Sequence, residues 1–260
     1  MICGTPYGPS MAVPLGFLLL LTAVYLTAAF KERKWSIWRT ASWMSGAGIL
    51  AWGLLPQFLP FSPGDFRQHM LQHLMLGMLA PIGLVMAAPI TLLLRALPVG
   101  QSRIVIRILQ TRMLKLWANP VTALVFNLGG MAALYFTSLF VWMITNPALH
   151  YLVHFHFVVA GCLYAWVIAG PDPAPDRPSV PSRLVVLGIA VVLHSVMAQM
   201  LYARVLVSIP VPTDQLQQAA ELMYYGGDIT EILLAFAMVS TWRPSRGKTP
   251  GKGQLQPQAR

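Results

Sequence analysis

The 260-residue chain is 56% hydrophobic and only 10% charged, whereas an ordinary soluble domain carries about 25% charged residues. So few charges cannot clothe a water-facing globule, which excludes a soluble fold and leaves one membrane domain as the expectation. The net charge of +10 is scattered between apolar blocks and is not gathered into a patch, which argues against nucleic acid as a partner.

Seven apolar stretches of about 20 residues or more, each long enough to cross ~30 Å of hydrocarbon as a helix, follow one another. They cover residues 11–30, 40–60, 69–94, 120–145, 150–170, 183–208 and 218–242. The first has no Lys or Arg before it and is followed by Lys31, Arg33 and Lys34. A cleavable leader has the opposite charge order, so this stretch is expected to remain as an anchor. With seven crossings, 16 of the 18 Lys and Arg residues fall on one side, and only Arg67 and Arg204 fall toward the other. The positive-inside rule then predicts an all-α, seven-span membrane bundle with its N-terminus outside and its C-terminus in the cytoplasm. Residues 1–242 form the expected transmembrane domain, and the polar, basic 243–260 a disordered tail.

The third stretch opens on His69 and His73, spaced i and i+4. Four residues turn a helix about 400°, so both imidazoles lie on one face, the second ~6 Å deeper. The loop over residues 96–116 interleaves Arg103, Arg107 and Arg112 with Ile and Leu, as in a helix lying on the membrane surface. The fifth stretch opens on a second i, i+4 pair, His150 and His154, while His156 points away from their face. In a seven-span chain both pairs sit at the outer surface at matching depth. Two readings stand: interfacial aromatic residues, or neutral imidazoles on two helices holding a metal. Residues 171–181 form a stiff, Pro-rich connector.

The sixth stretch carries His194 near its middle, with Met197 one turn on. An ionisable group inside a span is either functional or bonded to a neighbouring helix. In the seventh, Glu221, Asp228 and Glu231 stand at i, i+7 and i+10, close to one stripe. Each costs roughly 2.5–3.5 kcal/mol to insert and needs a partner. Arg204 is the expected charge partner for Glu221 or Asp228. The carboxylates either form a structural ion pair or orient metal-bound imidazoles. Met70, Met75, Met78, Met86, Met197, Met200 and Met223 add soft thioethers, which beside imidazole tilt the metal toward copper; Met is also an ordinary membrane filler. Cys3 and Cys162 form no motif. No HExxH, GxSxG, Walker A or CxxCH pattern occurs, and no catalytic constellation is present, so the chain is not expected to be an enzyme.

Residues 68–98, QHMLQHLMLGMLAPIGLVMAAPITLLLRALP, resemble the HMxxHxxL…AP…GxPxxLLLRALP segment of the CtaG-type cytochrome c oxidase assembly factors. Residues 150–173, HYLVHFHFVVAGCLYAWVIAGPDP, are similar to that family's second HxxxHxxF…G…W…P segment. Residues 214–235 resemble its last span, although Met223-Tyr224 stands where the commoner form carries Met-Trp, and Glu221 and Asp228 look like a subfamily variation. The resemblance implies a multi-pass protein of the bacterial inner membrane, associated with the lipid bilayer and with cytochrome c oxidase subunits. It further implies that the protein helps mature a haem-copper oxidase by handling copper at the outer face. The family's histidines fall on His69, His73, His150 and His154, as one four-ligand site or two pairs. A haem-binding electron carrier and a copper transporter are the alternatives.

Overall fold

The computed structural model describes residues 12–62 and 64–242; Cys3 and the expected tail at 243–260 lie outside the described residues. Among the described residues every regular element is helical. Helix α1 spans Ala12–Lys31 and α2 Ile37–Gly53. Helix α2 stops well before residue 60, because Pro56 pulls Leu55 out of the helical region (φ −113°, ψ 76°) and a short 3₁₀ turn, Pro56–Phe58, follows.

The third stretch is a composite. Helix α3 (Phe66–Leu74) runs through a π-helical turn (Met75–Leu79) into α4 (Ala80–Met86), and α5 (Pro89–Ala96) follows. The change to π register comes just ahead of Pro81, which has no N–H to offer the carbonyl four residues back. At Ala88 the chain turns left-handed (φ 54°) before Pro89. The carboxylate of Asp172, from the connector after the fifth stretch, caps the new helix by accepting Ile90 N–H at 2.9 Å and Thr91 N–H at 2.7 Å. Helices α6 (Val99–Leu109) and α7 (Arg112–Trp117) bury no residue, in keeping with the surface helix expected there.

Helix α8 (Pro120–Phe136) and α9 (Leu139–Thr145) occupy the fourth stretch, expected as one helix, but meet at a bend of 78°. Thr137 causes it. Its backbone is extended, and its hydroxyl donates to the Ala133 carbonyl and accepts Leu139 N–H at 3.2 Å, competing with the helical ladder. Helices α10 (Pro147–Ile168), α11 (Val180–Tyr202) and α12 (Thr213–Ser240) complete the bundle. Asn119 and Asn146, each followed by Pro, cap α8 and α10 with their side-chain oxygens.

Among the described residues, five helical runs are long and apolar enough to cross a membrane: α1, Phe66–Ala96, α10, α11 and α12; the bent α8–α9 pair is a sixth if counted as one span. Helix α2, with 17 residues, is about one turn short of a straight crossing. Phe17, Leu19, Val192, Ile232 and Phe236 are all exposed, as on a lipid-facing surface. Small residues set the closest crossings. A Cβ on Gly46 of α2 would lie 2.6 Å from the Leu84 nitrogen of α4, and one on Gly161 of α10 would overlap the Gly77 carbonyl of the π turn. Helix α1 docks through Tyr25, which stacks on Trp43 at 4.3 Å and donates its hydroxyl to the Ala87 carbonyl at 3.0 Å.

Candidate functional site

Helix α3 begins at Asp65, whose carboxylate accepts the Arg67 N–H at 2.9 Å and pairs with its guanidinium. The hydrogen bond from Arg67 holds the Asp65 carboxyl below its usual range, and the negative charge suits a helix N-terminus. One turn on, His69 lies on the buried face, with His73 below it. From α10, His154 is buried and His150 half-buried.

These rings meet across the two helices. The His69 and His154 centroids lie 6.2 Å apart, and His150 and His154 lie 4.4 Å apart. Tyr135 of α8 brings its hydroxyl 3.3 Å from His69 Nε2 and 3.8 Å from Met70 Sδ. After the bend at Thr137, α9 lays Phe140 5.3 Å from the His69 ring. A cavity of about 40 Å³ beside the rings is lined by Asp65, His69, Gln72, Met143 and His150. Tyr135, Phe140 and Met143 were not singled out in the sequence: Phe140 and Met143 reach the histidines only because the bend lays α9 over them, and Tyr135 sits in an apolar run of α8 that gives no sign of a distant partner.

A metal about 2 Å from a ring nitrogen sits about 3 Å from the ring centre, so two ligating imidazoles have centres about 5 Å apart in tetrahedral and about 6 Å apart in linear geometry. The His69–His154 separation lies near the linear limit, and the buried His154 Nε2 has no hydrogen-bond partner. The separation of the two ring centres is thus within the range that one shared ion would allow. Among the described residues, no three His, Cys, Asp or Glu side chains converge as a ready-made cage.

His73 departs from this group. Its ring packs 4.5 Å from Phe157, and it lines a second, deeper cavity shared with His194 and Glu231. His156 packs away from the cluster against Gly130, as its place on α10 implies, with its ring 5.1 Å from Phe126. Met197 is half-buried against the core. Arg204 does not pair with Glu221 or Asp228. It turns left-handed (φ 58°) and folds its guanidinium onto the Ile209 and Val211 carbonyls and the Thr213 hydroxyl. The expected acidic stripe also divides: Glu221 is exposed, Asp228 half-buried and Glu231 buried. Ten residues at 100° each leave Glu231 about 80° around the helix from Glu221.

The fold is that of a polytopic α-helical membrane protein with imidazoles gathered between two of its long apolar helices. Residues 18–245 match the family described as cytochrome c oxidase caa3 assembly factor (Caa3_CtaG). The chain belongs to that family. It is 30% identical over 177 residues to proteins described as uncharacterized from Mycobacterium bovis and Mycobacterium tuberculosis, covering 65% of this chain and 27% of theirs. A Mycobacterium leprae protein, also described as uncharacterized, is 28% identical over 150 residues, 55% of this chain and 23% of its own length. The chain thus spans about a quarter of the length of these curated relatives. No solved structure matches it significantly.

Proposed function

We propose that this assembly factor holds copper at the outer membrane face and makes it available to a haem-copper cytochrome c oxidase, without being an enzyme itself. The observation that carries the reading is the cluster of His69, His150 and His154, drawn from two helices, with the buried Nε2 of His154 lacking a partner. His73, one turn deeper on α3, stands outside this cluster, with its ring against Phe157. The donors are neutral imidazoles with the Met143 thioether beside them, a set that suits copper better than a hard, oxygen-seeking cation.

The topology belongs to the same reading. Seven crossings, counting α2 and the bent α8–α9 pair, put 16 of 18 basic residues on the cytoplasmic side and the histidine cluster outside, in a bacterial cell membrane. A haem carrier is disfavoured by volume. The cavity beside the rings holds about 40 Å³, against roughly 300 Å³ or more for an organic-ligand pocket.

The test is the metal content of purified protein, measured by mass spectrometry. The wild type is expected to retain copper, and the His69→Ala/His154→Ala variant, checked for folding by circular dichroism, is expected to lose most of it. Unchanged copper in a folded double variant would sink the ligand assignment.

A further inference from the structure

The deeper cavity, about 30 Å³, lies between α3, its π turn, α4, α8, α10, α11 and α12; its wall includes His73, Met78, Met131, Tyr164, His194 and Glu231, together with the Asn127 amide and the Thr230 hydroxyl. Both ring nitrogens of His73 and of His194, the Tyr164 hydroxyl and Glu231 Oε2 are buried with no hydrogen-bond partner. His194 is 1% exposed, and His73 and Glu231 are each 5% exposed. Buried polar groups are normally bonded, so four such side chains around one void leave room for an occupant that satisfies them. The helices are shaped around the rings. A Cβ on Gly227 of α12 would overlap the His194 imidazole, so glycine there seats that ring. The Thr230 hydroxyl, which donates to the Gly227 carbonyl at 2.8 Å, lies 3.5 Å from Met78 Sδ at the cavity wall.

We propose that this chamber is a second site for a single cuprous ion, bound by His73, His194 and a thioether of Met78 or Met131, with Glu231 balancing its charge. The donors are soft to borderline, as Cu(I) prefers. One carboxylate neutralises a monovalent ion, whereas a divalent ion would leave a net charge in a low-dielectric interior. The volume admits about two water-sized particles, too few for the oxygen shell of Ca²⁺ or hydrated Mg²⁺. Cu(I) is content with two or three donors and does not need the cage of three His, Cys, Asp or Glu that is absent among the described residues. His73 stands one turn below His69 and opens into the chamber, linking the two sites. The proposal takes the identity of the metal from the copper reading, but its residues apart from His73 are its own.

The full chain in lipid nanodiscs, titrated anaerobically with Cu(I) against a chromophoric Cu(I) chelator, tests the chamber. Two ions per chain are expected. His194→Gln should lose one, and so should the volume-conserving Met78→Leu/Met131→Leu variant. His69→Ala/His150→Ala should lose the other. The thioether variant decides the matter if His194→Gln does not fold. A wild type holding one ion that the chamber variants leave in place, or two ions unchanged in those variants, overturns the chamber and spares the outer site. One ion lost only in the chamber variants supports the chamber and overturns the outer site. No bound ion overturns both.

Discussion

Asp172→Ala should loosen the joint that holds the two histidine-bearing helices together at the end remote from His69. Asp172 is 2% exposed and follows α10, yet its carboxylate caps α5, which continues the α3 run. It accepts Ile90 N–H at 2.9 Å, Thr91 N–H at 2.7 Å and the Thr91 hydroxyl at 2.6 Å. Hydrogen bonds to a charged group contribute about 1.5–3 kcal/mol each. Alanine removes all three and leaves two helix-start amides uncapped, while water recovers part of the loss. A net cost of about 3–5 kcal/mol follows. Arg177 still grips the Gly170 and Asp172 carbonyls at 2.6 and 2.7 Å, so the connector should keep its path and the damage should centre on α5. At about 2–4 °C per kcal/mol for a chain of this size, the melting temperature should drop by about 10 °C. Asp172→Asn, which keeps one acceptor oxygen, should fall between. Circular dichroism melts in detergent read the effect, and a drop below about 2 °C for Asp172→Ala would refute the reasoning.

Tyr135→Phe removes the hydroxyl 3.3 Å from His69 Nε2. Under the proposed copper role, in which that contact orients the His69 imidazole, copper affinity should fall about 10- to 100-fold while the fold survives; a chelator competition giving wild-type affinity would exclude the role. The Asp65 carboxyl, held low by Arg67, stabilises the fold above about pH 4, and that contribution should disappear as pH falls through its folded-state value. Melting temperatures from pH 5 down to 2 should fall less steeply for Asp65→Asn than for the wild type, and parallel profiles would count against the linkage.

The apolar blocks and the i, i+4 histidine spacing were legible because both follow from helix periodicity alone. Each expected span overlaps a helix, and His69, His150 and His154 come together as their spacing implies. What the sequence concealed depends on local competition and on distant partners. The hydroxyl of Thr137 breaks a stretch whose hydropathy reads as continuous. Arg204 finds carbonyls five and seven residues ahead in its own chain, a local bargain that a search for opposite charges overlooks. His73 shares the face of His69, but one turn of depth carries it beyond the cluster and into the chamber.

The π turn at Met75–Leu79 acts as a phase shifter. One surplus residue offsets the two halves of the run by about 100°, a single residue's rotation. The half before it aims His69 and His73 toward α8 and α10, while the half after it turns Gly83 against Gly46 of α2. Deleting one residue from 75–79 would bring the halves back into step, so the ladder and the glycine crossing could not both keep their present partners. The length of this short segment is thus as tightly fixed as the identity of the histidines it aims.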